Sequence, residues 1–198
     1  MKSITPLVFC LFCLAGLPTR GHAGVFNLAS FTCDSYETKI LNSPPDAKSE
    51  DAVNFAMWLF GYAVGHSGDH AIYSNGLQNF GNALDVDCRS RPSASLFDAV
   101  TSINPANEQP MDLRELNCAT FEARQSDLAH GDADSARTIM MWLFGFSVGK
   151  SGGRTLDTGA VADFDLALGK QCRDHPQGSL FDALTAVRLP KRKAAGAT

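Results

Sequence analysis

The chain has 198 residues, of which 44% are hydrophobic and 19% charged. That composition supports a packed core and excludes both a disordered tail and a polytopic membrane protein. A formal net charge of −4 provides no basic field for a phosphate backbone, so nucleic acid is not an expected partner.

Lys2 precedes an apolar run from Leu7 to Leu17, Pro18 breaks it, and Gly21 and Ala23 supply small residues at the −3 and −1 positions of a cleavage point. The run is too short to span a bilayer, and residues 1–23 read as a secretory signal peptide. Neither Cys10 nor Cys13 follows the small residues that a lipid anchor requires. Cleavage after Ala23 removes two of the 17 basic residues and none of the 21 acidic ones, leaving a net charge of −6. No later segment has eighteen consecutive apolar residues, so stable membrane insertion is not expected.

Next comes a predicted first helix over Cys33 to Ile40. A second covers Glu50 to Val64, where Val53, Ala56, Met57, Phe60, Ala63 and Val64 recur at spacings of three and four, with Ser49 as N-cap. Gly65 and Gly68 are expected to stop it. A third helix carries Leu77, Phe80 and Leu84 into Cys88, and a short fourth follows Pro92 with Leu96 and Phe97. Asn104 to Leu113, with Pro105 and Pro110, reads as an extended linker. Four further helices follow. Cys118 to Arg124 comes first; Ala136 to Val148 is opened by Asp134 or Ser135 and stopped by Gly149, Gly152 and Gly153. Val161, Phe164 and Leu168 then lead into Cys172, and Leu180 and Phe181 follow Pro176. The basic tail after Leu189 is expected to be solvated. No run alternates with period two, so the predicted fold class is all-α.

The second set of helices repeats the first. Met57-Trp58-Leu59-Phe60-Gly61 returns as Met141-Trp142-Leu143-Phe144-Gly145 at an offset of 84, and Cys88, Pro92 and Ser95 to Val100 return at the same offset. Cys33 and Cys118 are 85 apart, which implies one inserted residue. The expected organisation is two tandem four-helix modules, residues 24–104 and 113–190, joined by a linker at 105–112 and followed by a flexible tail at 191–198.

Four cysteines remain after cleavage, and four permit three pairings. The repeat selects Cys33 with Cys88 and Cys118 with Cys172, because each copy must be able to close itself. The cysteines are isolated along the mature chain, without the paired spacing of zinc or redox motifs.

Signals for catalysis fail on inspection. Gly145 to Ser151 superficially resembles a phosphate loop, but three residues separate its glycines where four are needed, and the run continues a helix. His66 and His70 are four apart, as helical metal ligands would be, yet Gly68 lies between them and the second copy has Lys150 and Arg154 instead. Near a helix C-terminus such side chains complement the helix dipole. Paired carboxylates, Asp85 with Asp87 and Asp163 with Asp165, read as solvated faces. No catalytic residue, metal or cofactor is expected, and the protein is not expected to be an enzyme.

Met57 to Phe60 and Met141 to Phe144 are continuous apolar runs that cover more than one helix face. Part of each must pack within its own copy, while the remainder faces the sister copy or a partner. Met57, Trp58, Phe60, Met141, Trp142 and Phe144 are either plain core or a buried binding surface that opening of the module would release, and on the second reading they are the candidate client-binding residues.

The pattern resembles the HdeA/HdeB acid-stress chaperone family of the bacterial periplasm. The resemblance rests on Cys33-x-x-Tyr36 and Cys118-x-x-Phe121, the Trp-bearing second helix with Gly61-Tyr62 or Gly145-Phe146, and the glycine stop Lys150 to Gly153. Cys88-x-x-x-Pro92 and Cys172-x-x-x-Pro176, followed by Leu96 and Leu180, extend it to about 70 residues of each copy. It implies a periplasmic module with one internal disulfide that loses its dimer contacts in acid and shields unfolded proteins. Here two copies share one chain, so an intramolecular pair, or a homodimer, would take the place of the family's dimer.

Protonating 21 carboxylates and charging His66, His70, His130 and His175 would carry the mature chain to roughly +20. Self-repulsion of that size loosens many proteins. The alternative reading is a periplasmic immunity or inhibitor protein that neutralises a secreted hydrolase, in the manner of the small disulfide-bonded Tai proteins. The expected partners are accordingly unfolded or specific periplasmic proteins.

Overall fold

The computed structural model describes residues 25–38, 50–73, 75–104 and 110–188. The expected signal peptide, the N-cap Ser49 and the basic tail lie outside them. The fold is all-α, with eight helices among the described residues: α1 (Cys33–Tyr36), α2 (Glu50–Ser67), α3 (Gly76–Ser90), α4 (Leu96–Ser102), α5 (Cys118–Gly131), α6 (Ala133–Lys150), α7 (Val161–Asp174) and α8 (Leu180–Ala186). Both disulfides, Cys33–Cys88 and Cys118–Cys172, form with Cα atoms 4.9 Å apart.

Local chemistry explains most helix starts. Thr32 caps α1 by accepting from the Ser35 amide, and Asn117 caps α5 by accepting from the Thr120 amide. Ser95 and Ser179 cap α4 and α8 in the same way. In each half the two caps lie side by side, bridging Thr32 to Ser95 and Asn117 to Ser179. The disulfide lies against this pair of caps: the Cys33 amide donates to the Ala94 carbonyl, and the Cys118 amide to the Gly178 carbonyl.

α3 and α7 are amphipathic. Phe80, Leu84 and Cys88, and likewise Phe164, Leu168 and Cys172, line one buried face at spacings of four. Their outer faces carry surface ion pairs such as Arg89 with Asp85 at 2.8 Å and Lys170 with Asp174 at 2.6 Å.

α2 and α6 differ, because they are buried nearly all round from Trp58 to Gly65 and from Met141 to Gly149. They form the largest contact between elements in the molecule. α6 begins earlier than expected, with Asp132 rather than Asp134 or Ser135 as its cap; Asp132 accepts from the Ser135 amide.

Two expectations need correction. Gly65 and Gly149 do not stop their helices, which run on to Ser67 and Lys150. The stops are Gly68 and Gly152, whose φ values of 83° and 71° suit glycine alone. The expected linker is also more than a linker: Pro110–Asp112 forms a strand, while residues 105–109 lie outside the described residues.

Among the described residues that strand is one of four short ones: β1 (Val25–Asn27), β2 (Ala71–Tyr73), β3 (Pro110–Asp112) and β4 (Thr155–Asp157). β1 pairs antiparallel with β4, and β2 with β3, so each two-stranded sheet takes one strand from each half. Three residues are too few for period-two patterning to show in the sequence. The halves are thus joined in three places, along α2 and α6 and at a strand pair on either side.

Candidate functional site

The seam between α2 and α6 is built on glycine. A methyl group at Gly61 would collide with the Trp142 carbonyl, and one at Gly65 with the Phe146 carbonyl. Reciprocally, Gly145 meets the Trp58 carbonyl and Gly149 the Tyr62 carbonyl. Partners advance by four residues as the glycines do, so the two helices run in the same direction and approach backbone to backbone. A small residue every fourth position permits that approach, and it places Cα–H groups against carbonyl oxygens.

The six candidate residues lie along this seam or directly behind it. Trp58, Phe60, Trp142 and Phe144 are each at most 2% exposed, Met141 is buried and Met57 half-buried. In the folded state they are interior and form no open patch. Phe60 and Phe144 point into their own halves, with ring centroids 5.6 Å from Phe80 and 5.3 Å from Phe164. Trp58 packs on Tyr62 at 5.4 Å and Trp142 stacks on Phe146 at 5.6 Å, while Phe60 reaches across to the Trp142 ring at 6.1 Å.

Neither indole N–H, of Trp58 or of Trp142, has a hydrogen-bond partner among the described residues, although both are buried. A buried unpaired donor costs about 1–3 kcal/mol. Polar contacts across the seam are few: the Thr138 hydroxyl donates to the Asn54 side-chain oxygen at 3.3 Å, and the Tyr62 hydroxyl donates to the Gly153 carbonyl at 2.8 Å. Burial raises the pKa of the Tyr62 phenol despite the neighbouring Arg154. Tyr36, deeper in the first half, is pushed up to about 12 by burial and then by Asp85.

Charged groups gather where the strands meet. At the β2–β3 pair, His70 lies 3.5 Å from Asp112, which also accepts hydrogen bonds from the Arg114 side chain and amide. The Arg114 side-chain bond above all holds the Asp112 carboxyl down to about 2. Lys150 and His70 both approach the Phe181 ring, at 5.5 Å and 6.0 Å. At the β1–β4 pair the corresponding ring is Phe97, which carries the Arg154 guanidinium at 4.3 Å and the His66 ring at 5.8 Å. His66 and His70 therefore serve different strand pairs. Among the described residues, no three His, Cys, Asp or Glu side chains gather as a metal site.

Three groups of residues escaped the sequence reading. Of the four seam glycines, Gly61 and Gly145 stand out in the sequence only as members of the repeated motif, and Gly65 and Gly149 only as helix stops; their shared spacing of four is what the seam uses. Asp112 and Arg114 carried no pattern, since their partner His70 is distant in sequence. Phe26, Phe31 and Phe55, which pack together with centroids 5.8–6.3 Å apart, are dispersed over strand, turn and helix. Among the described residues no helix is long and apolar enough to cross a membrane. No family model, curated protein or solved structure matches the chain.

Proposed function

We propose that the protein is a periplasmic chaperone that binds unfolded client proteins through apolar surface released when the seam opens, as happens on acidification. The observation that carries this reading is the location of its aromatic surface. Trp58, Trp142 and their neighbours are buried between halves that are each closed by their own disulfide. Separation along α2 and α6 would uncover apolar area while Cys33–Cys88 and Cys118–Cys172 limit further unfolding. The unpaired indole N–H groups lower the cost of opening, because an exposed indole gains a partner in water.

The charge balance supports acid as the trigger. Protonating carboxylates leaves Lys and Arg unopposed, and the repulsion is shared by halves that touch over a large area. The test mixes the mature protein with an acid-labile substrate protein at pH 2 to 3 and follows light scattering. Suppression of aggregation at stoichiometric or modest excess is the expected result, together with quenching or a red shift of tryptophan fluorescence over the same pH range. Undiminished aggregation at several-fold excess overturns the reading. A single stoichiometric partner captured at neutral pH would instead point to an inhibitor.

A further inference from the structure

The two strand pairs that flank the seam, called its two ends below, are built to one plan, and the register makes their equivalence explicit. Val25, Phe26 and Asn27 oppose Asp157, Leu156 and Thr155, just as Pro110, Met111 and Asp112 oppose Tyr73, Ile72 and Ala71. Beyond the strands, the Leu28 amide donates to the Arg154 carbonyl and the Leu113 amide to the His70 carbonyl, both at 2.9 Å. Asn27 and Asp112 even make the same local turn, accepting from the amides of Ala29 and Arg114.

Within that plan the ends differ in two respects. The first is electrostatic. Asp112 binds Arg114 and lies beside His70, with Asp69, Glu115 and Lys150 nearby, so β3 is fastened by charge as well as by its ladder. The equivalent position in β1 is Asn27, which has no charge, and Ala29 replaces Arg114. Among the described residues, the charged or titratable groups here include Arg154 and His66 about Phe97, and Asp157 on β4, which accepts from the Gly159 amide.

The second difference is in what the strands cover. Beneath β1 the Phe26 ring lies 5.8 Å from Phe55 and 6.0 Å from Phe31, and Phe55 continues to Tyr36 and Trp58 at 6.2 and 6.3 Å. Leu156, opposite Phe26 on β4, is 1% exposed. The equivalent positions in the second half are Met111, which is 45% exposed, Leu116, Ile139 and Phe121. The first half thus holds an aromatic seat into which the short strand β1 places one residue, Phe26.

The geometry points to the β1 seat as the client site: an extended segment of an unfolded polypeptide, with an aromatic residue in the place of Phe26, pairs with β4 and displaces β1. The assignment rests on the client-binding reading above and gives it a location outside the six seam residues. Departure of Val25–Asn27 leaves the β4 backbone as an unpaired edge beside an aromatic cluster, which is the arrangement that strand addition uses: main-chain hydrogen bonds for affinity, a side-chain pocket for selectivity. β1 acts as a built-in competitor, so affinity for an outside segment is scaled down by the fraction of molecules in which β1 is released.

The test uses the full mature chain and a fluorescent peptide with the sequence of Val25 to Ser30, alongside a second peptide with Ala in place of Phe. Phe26→Ala weakens the internal competitor and is expected to bind the Phe peptide about tenfold tighter than the unmodified protein does, with little binding of the Ala peptide. Met111→Ala, at the equivalent place in β3, is expected to leave affinity unchanged. Equal affinity for the two peptides, or equal gain in both variants, overturns the assignment.

A cross-linked variant reads the same question without relying on the stability of Phe26→Ala. Val25→Cys with Asp157→Cys, at directly opposed positions, locks β1 onto β4 and is expected to abolish suppression of aggregation relative to Val25→Cys alone. If the locked protein still protects substrate, the seat is wrong and the chaperone reading stands. If the unmodified protein never protects substrate while Phe26→Ala takes up the Phe peptide, the seat stands and the chaperone reading falls. A stable dimer formed by exchange of β1 between chains would assign the seat to a second copy and overturn the client assignment.

Discussion

α2 and α3 are neighbours in the first half, and both carry glycine in the helix interior, yet the two glycines have opposite meanings. Gly61 in α2 touches the backbone of α6, whereas nothing lies within 4 Å of a methyl group placed on Gly81 in α3. The contrast shows how the molecule divides its labour. α3 and α7 close each half from outside with one apolar face, while α2 and α6 belong to both halves at once and have no free face from Trp58 to Gly65 and from Met141 to Gly149. Helix propensity governs the first pair, and close approach governs the second.

The disulfides should provide the largest effect. Each closes a loop of 54 or 55 residues, and removing either by Cys→Ser exchange of both partners is expected to cost about 4 kcal/mol in urea unfolding. If loss of one bridge unfolds only its own half, the halves are independent; loss of both halves in one transition shows that the seam couples them. Next comes the seam itself. Gly61→Ala or Gly145→Ala forces carbonyl and methyl apart and is expected to destabilise by about 3 kcal/mol, read as a fall in Tm with earlier acid exposure of tryptophan.

Asp112→Asn separates the two ends of the seam. The folded-state pKa of Asp112 is depressed to about 2, so its contribution is fully present above the ordinary carboxylate range and is lost as pH falls through about 2. The substitution is expected to weaken the β2–β3 pair at neutral pH and to remove that acid dependence, with faster amide exchange at Ile72 and Leu113 while Phe26 and Leu156 are unaffected. Uniform change at both ends would show that the strand pairs do not open separately. Ser95→Ala and Ser179→Ala remove equivalent caps and should each cost about 1 kcal/mol by urea unfolding. The smallest effect has the opposite sign: Gly81→Ala should stabilise by about 0.7 kcal/mol, because it meets no neighbour and relieves the entropy cost of glycine in a helix.

Much of the helical framework could be read from residue spacing. Phe80, Leu84 and Cys88 announce a helix face wherever they stand, and the repeat at an offset of 84 was enough to choose among three disulfide pairings. The candidate site was less legible. Met57 to Phe60 and Met141 to Phe144 are apolar beyond the needs of one face, but apolarity does not state whether a surface is open or closed. Phe26 gave no signal at all, since a three-residue strand acquires its meaning from the distant strand it pairs with.

Composition and periodicity determined that this chain forms amphipathic and fully apolar helices and that each half can be covalently closed, because these depend on residues near one another along a helix or on the repeat itself. Only the tertiary structure decided that Gly65 and Gly149 permit an approach instead of ending a helix, that the strands pair between halves, and that one end is fastened by Asp112 while the other has Asn27. The physical reason is that a glycine or a short strand has no preferred role until its partner is brought within contact distance, and here those partners, like His70 beside Asp112, belong to distant parts of the chain.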